Sequence, residues 1–196
     1  MNFADDSYLK ALPNLQPQGR WVTAYLGLGA NIGEPVEAIR SALALIDESP
    51  DIVVRKVSSL YRTAPIGLTA QPDFVNAVAR LETRLPPEDL LSTVLNIENL
   101  LGRVRTERWA PRVIDVDVLL YGRREISTPE IAIPHPRMHE RAFVLVPLAE
   151  IDPNLRIPGY TETVAERAAV LAAETRIERI ADDLAVDSVE GTSTRG

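Results

Sequence analysis

Two carboxylates separated by a single residue, Asp115 and Asp117, are the feature of this sequence best suited to chemistry. They lie in an apolar, β-branched run at 114–121 that is typical of a strand. Side chains i and i+2 of a strand point to the same face, so both carboxylates project together while Val116 faces the core. Mg²⁺ prefers one or two carboxylates together with phosphate oxygens, so this pair could hold Mg²⁺ beside a phosphorylated substrate. An amphipathic strand with a solvated polar face is the alternative explanation.

A basic segment at 103–112, which also contains Trp109, precedes this strand. Arginine stays charged at physiological pH and binds phosphate oxygens in a bidentate manner. Cations beside a carboxylate pair suit phosphoryl transfer, because metal ions and arginines neutralise the phosphate charge. A solvated loop that pairs with acidic residues elsewhere would explain the segment equally simply. The arginines are Arg103, Arg105, Arg108 and Arg112.

The sequence contains two histidines, His135 and His139, within the segment 133–143. Their spacing does not favour a zinc site, because a proline lies between them and the H-E-x-x-H pattern is absent. His135 could bind a phosphate or ribose, or it could be structural. Phe143, in the same segment, could belong to the core or form a stacking wall.

Glycines end the first predicted strand, at Gly27, Gly29 and Gly33. Their spacing differs from the dinucleotide-binding pattern, and the Gly-Lys-Ser/Thr of a P-loop is absent. We interpret these glycines as a tight turn between a strand and a helix.

The remaining sequence predicts the elements that position these residues, from apolar alternation in strands and spacings of three and four in helices. The order strand, helix, strand, strand, helix, strand indicates an α+β, ferredoxin-like sandwich with an antiparallel sheet and helices on one face. The loop at 64–73 is longer than a hairpin needs, which is typical of functional loops. Strands are predicted at 21–29, 52–63, 74–83, 113–121 and 176–180, and helices at 35–48, 88–101, 137–145 and 162–174.

Composition narrows the class of protein. The 196 residues are 45% hydrophobic and 25% charged, which fits one globular domain. With no cysteine, a disulfide scaffold, a thiolate zinc site and a cysteine nucleophile are excluded. No apolar run reaches the ~20 residues that span a bilayer, and residues 1–20 lack a signal-peptide pattern, so we expect a cytoplasmic protein. The net charge of −7 argues against a surface devoted to nucleic acid.

Together these segments resemble the 6-hydroxymethyl-7,8-dihydropterin pyrophosphokinases of folate biosynthesis. The resemblance extends over about residues 22–158, and its most specific part is RWAPRVIDVD at 108–117. That part belongs to the matching segment IENLLGRVRTERWAPRVIDVDVLLY at 97–121, and the other matching segments are YLGLGAN at 25–31, SLYRTAPIGLTAQPDFVN at 59–76 and IPHPRMHERAFVLVP at 133–147.

The resemblance implies that the hydroxymethyl oxygen of the pterin attacks the β-phosphorus of ATP and that AMP is released. It implies two Mg²⁺ ions held by Asp115 and Asp117, and a mobile loop containing Trp109 that closes over the substrates. Further catalytic or ATP-binding residues implied by the family are Glu98, Arg103, Arg105, Arg112, His135 and Arg141.

For the pterin, the resemblance implies a sandwich between Phe74 and Phe143, with the Asn76 amide bonded to the ring. A flat heteroaromatic ring gains stacking between two aromatic side chains, and an amide can satisfy its polar edge. The loop implied to line the pocket contributes Thr63, Pro65, Ile66 and Gly67.

Two other functions are compatible with parts of the sequence. A nucleotidyl transferase with two-metal chemistry would use the carboxylates and arginines, but it leaves the aromatic and amide of 64–76 unexplained. A single-stranded RNA-binding sandwich would use Trp109, Phe74 and the arginines, but the acidic net charge and the carboxylate pair argue against it.

The resemblance also sets expectations for the organisation of the chain. We expect an N-terminal extension at 1–20, a pyrophosphokinase domain at 21–182 and a disordered tail at 183–196. We expect a monomer that acts on small molecules and binds neither nucleic acid nor membranes. Ala110 replaces the glycine usual in the family, which predicts a stiffer loop.

Overall fold

The computed structural model describes residues 19–65, 70–102 and 112–180. The elements follow the predicted order, except that the strand predicted at 52–63 is divided in two and that the short strands β6 and β7 were not predicted. The strands are β1 (Val22–Ala30), β2 (Ile52–Val57), β3 (Leu60–Thr63), β4 (Phe74–Thr83), β5 (Asp115–Tyr121), β6 (Ile126–Ser127), β7 (Ala132–Ile133) and β8 (Ile177–Ile180). The helices are α1 (Pro35–Asp47), α2 (Pro87–Leu100), α3 (Ala142–Ile151) and α4 (Val164–Glu174), with a 3-10 turn at Met138–Glu140.

An antiparallel sheet in the order β5-β1-β4-β3-β8 forms the centre of the protein. On one side β4 pairs with β1, and on its other side it pairs first with β3 and then with β2. The sequence predicts a single strand at 52–63, whereas the structure has two. The strand is interrupted at Ser58, whose Oγ accepts a 2.9 Å hydrogen bond from the backbone N–H of Val78 in β4. A partner twenty positions away therefore decides where β2 ends.

Helices cover both faces of this sheet. The first two, α1 and α2, pack against the face that carries Leu26 and Leu28 of β1. The other two, α3 and α4, pack against the opposite face around Tyr25 and Val78. The predicted α+β sandwich with an antiparallel sheet is confirmed, but the expectation of helices on one face was wrong. The packing partner of the later helices depends on tertiary contacts, which their own apolar pattern does not specify.

The helix predicted at 137–145 is a 3-10 turn followed by α3. The backbone of Arg141, between them, is extended, with φ −109° and ψ 108°, so the helix begins only at Ala142. This change of direction brings the Arg141 guanidinium within 3.7 Å of the Asp117 carboxylate. The irregular residue between the two helical segments is therefore the one that reaches β5.

The C-terminal part of the described chain completes the sheet. A capping box between Thr163 and Glu166 begins α4, and β8 pairs with β3 at the sheet edge, close to the strand predicted at 176–180. Residues 1–18 and 181–196 lie outside the described ranges. They include most of the predicted extension at 1–20 and all of the predicted tail at 183–196. None of the described helices combines the length and apolar character needed to cross a membrane.

Candidate active site

Three neighbouring strands bring the predicted polar residues to one face of the sheet. Gly29 of β1 is paired with Asn76 of β4 on one side and with Asp115 of β5 on the other. Gly27 of β1 is paired with Asp117 of β5 in the same way. Because side chains alternate along a strand, these residues share the face opposite to the apolar residues under α1 and α2.

A cavity of about 380 Å³ opens on this face. Its volume lies in the range of pockets that bind small molecules. It contains the predicted metal ligands, several predicted ATP contacts and most of the predicted pterin contacts together. The predicted residues that line it are Thr63, Phe74, Asn76, Arg112, Asp115, Asp117, His135, Arg141 and Phe143.

Cationic and imidazole side chains surround the two carboxylates. Arg112 forms an ion pair with Asp115, and Arg141 lies 3.7 Å from Asp117. His135 Nε2 lies 4.0 Å from the Asp117 carboxylate. The backbone N–H of His135 donates to the carbonyl of Leu119 at 2.9 Å, which fixes the histidine beside β5. The segment after β7 therefore supplies a second set of phosphate-binding candidates to the strand that carries the carboxylates.

Even with these neighbours, the environment disfavours two negative charges. Burial and the Asp115 carboxylate raise the pKa of Asp117, although His135 and Arg141 act in the opposite direction. Asp117 still exposes 39% of its side chain, which lines the cavity. Burial lowers the pKa of His135, which favours the neutral form of its imidazole. A further cation that enters through the cavity would therefore be stabilised at the carboxylate pair.

Glu98, which is predicted to contact ATP, lies beneath β5. It is 1% exposed and is absent from the cavity lining. Its Oε1 accepts a 2.7 Å hydrogen bond from the backbone N–H of Val116, the residue between the two carboxylates. The structure thus places Glu98 where it supports the strand that carries the two carboxylates.

The opposite end of the cavity presents a fixed amide. Asn76 is 5% exposed, and its Nδ2 donates to Thr63 Oγ1 at 2.9 Å and more weakly to the carbonyl of Tyr61 at 3.4 Å. Its Oδ1 is directed toward Gly29. No hydrogen bond to this oxygen occurs among the described residues. Asn76 therefore offers an acceptor to a ligand in the cavity, and Thr63 determines which end of the amide faces it.

Two half-buried aromatic residues flank the cavity. Phe74 begins β4 and Phe143 lies in the first turn of α3, so they come from different elements of the fold. The guanidinium carbon of Arg141 lies 5.5 Å from the centre of the Phe143 ring. Arg141 therefore lies between the carboxylate pair and one of the predicted pterin walls.

The interpretation of Gly27 and Gly29 as a turn was wrong. Both lie inside β1 and line the cavity, and of the three glycines only Gly33 adopts the positive φ, 68°, that favours glycine in a turn. The alternation of β1 contained the signal, because these glycines take the positions between apolar residues that face the core.

Asn31 borders the cavity, although it is not among the predicted functional residues. It is 2% exposed, and its Nδ2 donates to Gln71 Oε1 at 3.0 Å and to the carbonyl of Pro72 at 3.1 Å. Its Oδ1 accepts from the backbone N–H of Arg112 at 2.8 Å. Asn31 thus connects the two loops that border the cavity. An asparagine just after a predicted strand was the available signal, but its partners are remote in sequence.

The other predicted residues either adjoin the cavity or lie outside the described ranges. Pro65 adjoins Ala64 of the lining but is not itself part of it. The remaining predicted residues lie outside the described ranges, and these are Ile66, Gly67, Arg103, Arg105 and Trp109.

Comparison with protein families gives one match over most of the described chain. Residues 25–153 match the family model of 7,8-dihydro-6-hydroxymethylpterin-pyrophosphokinase, abbreviated HPPK. A 2-amino-4-hydroxy-6-hydroxymethyldihydropteridine pyrophosphokinase of Haemophilus influenzae is 46% identical over 150 residues, which cover 75% of this chain and 94% of the relative. One of the same name from Methylorubrum extorquens is 48% identical, over 80% of this chain and 98% of the relative.

Solved structures give the same fold at much lower sequence identity. The HPPK-DHPS of Plasmodium falciparum with pteroate aligns with a TM-score of 0.66 at 14% identity, over 82% of this chain and 44% of that one. The same protein with pterin and p-hydroxybenzoate aligns with a TM-score of 0.64 at 15% identity, over 82% and 43%. The solved structures support the fold, whereas the relatives of high sequence identity show the relationship to the family.

Proposed function

The chain belongs to the 7,8-dihydro-6-hydroxymethylpterin-pyrophosphokinase family, and we propose that the cavity on β1, β4 and β5 is its active site. The protein is a transferase that moves pyrophosphate from ATP to 6-hydroxymethyl-7,8-dihydropterin, giving AMP and the pterin pyrophosphate in folate biosynthesis. The assignment of the site rests on three residues that are paired across adjacent strands of the sheet. Gly29 of β1 lies between the carboxylate of Asp115 in β5 and the fixed amide of Asn76 in β4.

The carboxylate pair is suited to magnesium, and we propose that Asp115 and Asp117 hold two Mg²⁺ ions. No cluster of three or more acidic, histidine or cysteine side chains capable of holding a metal occurs in the described ranges. A purely protein-made cage is therefore not available there. Mg²⁺ does not require one, because it commonly binds one or two carboxylates and completes its shell with phosphate oxygens and water. Bound there, it would neutralise charge on the transferred phosphates.

The side chains around the carboxylates are proposed to bind the triphosphate of ATP. Arg112 and Arg141 can each direct a guanidinium toward phosphate oxygens, which they would contact more strongly as negative charge builds up during transfer. The neutral form of His135, which its lowered pKa favours, can donate one hydrogen bond without adding positive charge. Its Nδ1 accepts from the backbone N–H of Arg137 at 3.3 Å, so Nε2 is the nitrogen that faces the carboxylates.

At the other end of the cavity, Phe74 and Phe143 are proposed to enclose the pterin ring. The Asn76 Oδ1 would accept an N–H of its polar edge, with Thr63 holding the amide in that orientation. An aromatic sandwich orients a flat ring, and a buried amide discriminates against a ring that lacks the matching donor. The hydroxymethyl group then extends toward the carboxylates.

With both substrates bound, the hydroxymethyl oxygen attacks the β-phosphorus and loses its proton. The bond from the β-phosphorus to the oxygen shared with the α-phosphate breaks, and AMP leaves. The protein contributes mainly by holding the two substrates in line and by excluding water. Arg103, Arg105 and Trp109 are proposed to close over the substrates, with Ile66 and Gly67 lining the pterin side. Glu98 is proposed to support β5.

The proposed extent of the pyrophosphokinase domain is 21–182. The family match ends at residue 153, but α4 packs on α3 and β8 pairs with β3, so the fold continues to residue 180 in the described chain. We propose that the protein is a monomer that acts on small molecules.

The test of the proposed function measures AMP formation from ATP and Mg²⁺ with and without 6-hydroxymethyl-7,8-dihydropterin. We expect pterin-dependent AMP and a product heavier than the pterin by one pyrophosphoryl group, detected by mass spectrometry. Omission of Mg²⁺ should abolish both. Release of pyrophosphate in place of AMP would indicate nucleotidyl transfer and would contradict the proposal.

A further inference from the structure

One row of residues crosses the floor of the cavity from the amide to the carboxylates. Asn76 of β4, Gly29 of β1 and Asp115 of β5 are direct register partners on three adjacent strands. Neighbouring strands lie about 4.8 Å apart, so the two ends of the row are roughly 10 Å apart at the backbone. The distance is set by the hydrogen-bonded sheet and changes little with side-chain motion.

The middle of this row has no side chain, although the backbone would allow one. Gly29 does not adopt a positive φ, so its backbone conformation is one that any residue can adopt in a strand. A Cβ built at Gly29 would enter the cavity and lie 3.2 Å from Asn76 Oδ1. Glycine in a strand interior normally costs stability and often marks the close approach of a ligand to the backbone.

The amide at the end of the row cannot easily move away from such a side chain. Asn76 is held by Thr63 Oγ1 and the carbonyl of Tyr61, and its Oδ1 faces the space above Gly29. A ligand N–H that reaches this oxygen must therefore pass directly over the backbone of β1. Side-chain bulk at position 29 would lift the ligand away from the oxygen.

We propose that Gly29 determines the acceptor specificity of the site by allowing a flat two-ring acceptor to bridge Asn76 and the carboxylate pair. The inference rests on the proposed function of this cavity. A two-ring heterocycle with one hydroxymethyl group spans most of the distance from the amide to the carboxylates. A single ring held by Asn76 falls short, and a longer substituent carries its hydroxyl beyond the reacting phosphate. The register of the three strands thus sets the length of acceptor that the site can use.

Gly27 provides a matched control in the same strand and on the same face. Gly27 lies two residues before Gly29 and is paired with Asp117 of β5. Its partner in β4 is Val78, so no amide faces it. A Cβ built at Gly27 would contact the Leu119 side chain at 3.4 Å, an ordinary van der Waals distance. Gly27→Ala therefore reproduces the change in β1 without an obstacle beside Asn76.

The experiment compares Gly29→Ala and Gly27→Ala with the unsubstituted protein. We expect Gly29→Ala to weaken binding of 6-hydroxymethylpterin at least tenfold more than Gly27→Ala does, measured by titration with Mg²⁺ and a non-hydrolysable ATP analogue. Affinity for the ATP analogue alone should change less than twofold in Gly29→Ala. Its melting temperature should be no more than about 2 °C below that of the unsubstituted protein, since alanine is at least as favourable as glycine in a strand.

A second arm tests the length of the acceptor directly. The unsubstituted protein should turn over the hydroxymethyl acceptor at least tenfold faster than its hydroxyethyl homologue. Equal turnover of the two, or equal pterin affinity of both alanine variants, would overturn the inference. A melting temperature several degrees lower in Gly29→Ala would also overturn it, because the glycine would then serve the fold. Failure of the unsubstituted protein to turn over any pterin would instead contradict the proposed function.

Discussion

Asn31 and Arg112 are joined by two hydrogen bonds across 81 residues of sequence. The side-chain Oδ1 of Asn31 accepts from the backbone N–H of Arg112 at 2.8 Å, and the backbone N–H of Asn31 donates to the Arg112 carbonyl at 3.0 Å. The same side chain donates to Gln71 and Pro72 in the loop on the other border of the cavity. A buried amide therefore sets the positions of two loops relative to β1.

Asn31→Ala should impair catalysis more than it impairs folding. Loss of the buried partner for Arg112 should destabilise the protein by about 1–3 kcal/mol. Because both loops lose their connection to β1, we expect kcat/KM to fall at least tenfold, measured by AMP release. The side chain of Asn31 is not proposed to touch substrate. Asn31→Asp keeps the acceptor for Arg112 and should retain more activity than Asn31→Ala, and the reverse order would contradict the proposed connection.

Asp117→Asn should abolish turnover and leave the fold intact. The amide preserves the shape of the side chain, but it is a weaker Mg²⁺ ligand and carries no charge. We expect no measurable AMP release at saturating ATP and pterin, with an unchanged circular dichroism spectrum. Glu37→Gln is the control, since Glu37 lies exposed in α1 and pairs with Arg40 away from the cavity. Normal turnover by Asp117→Asn would exclude the metal assignment.

The stability of the same variant should depend on pH in a defined direction. The pKa of Asp117 is raised by burial and by Asp115, so the folded state favours its protonated form. At pH values above the pKa of Asp117 in the folded protein, its negative charge therefore lowers the free energy of unfolding. At pH values below the ordinary pKa of 3.8, Asp117 is protonated in both the folded and the unfolded protein, and this destabilisation disappears. Without Mg²⁺, Asp117→Asn should be more stable than the unsubstituted protein at pH 7.

The measurement is denaturant unfolding from pH 7 downward in the presence of a chelator. The stability difference between the two proteins should narrow as the pH falls through the raised pKa. Mg²⁺ at pH 7 should also narrow it, because the cation offsets the repulsion between the two carboxylates. A stability difference that is independent of pH would contradict a raised pKa at Asp117.

Glu98→Ala should act on the active site through β5. The substitution leaves the backbone N–H of Val116 without its acceptor and leaves a cavity beneath the strand. We expect a loss of about 1–3 kcal/mol in the free energy of unfolding and a higher Mg²⁺ concentration for half-maximal activity. Glu98→Gln retains an acceptor oxygen and should restore most of the Mg²⁺ response. If ATP affinity alone changed and the Mg²⁺ response did not, Glu98 would be a direct ATP contact.

Features with a local cause were predictable from the sequence. The alternation at 74–83 predicted the bounds of β4, which runs from Phe74 to Thr83, and the two-residue spacing of Asp115 and Asp117 predicted a shared face. The break between β2 and β3 was not predictable, because the Ser58 hydrogen bond that accompanies it reaches Val78 of another strand. The extended backbone of Arg141 was hidden for a related reason, since its neighbours on both sides have helical patterns.

The sequence by itself determined the family and its chemistry, because the carboxylates, the arginines, the amide and the aromatic residues occur in specific short segments. Only the tertiary structure decided how those segments meet. The placement of Gly29 between Asn76 and Asp115 depends on the register of three strands, and the position of Glu98 depends on how α2 packs against β5. Register and packing arise from hydrogen bonds and burial between residues remote in sequence, so they cannot be derived from the spacing of neighbours along the chain.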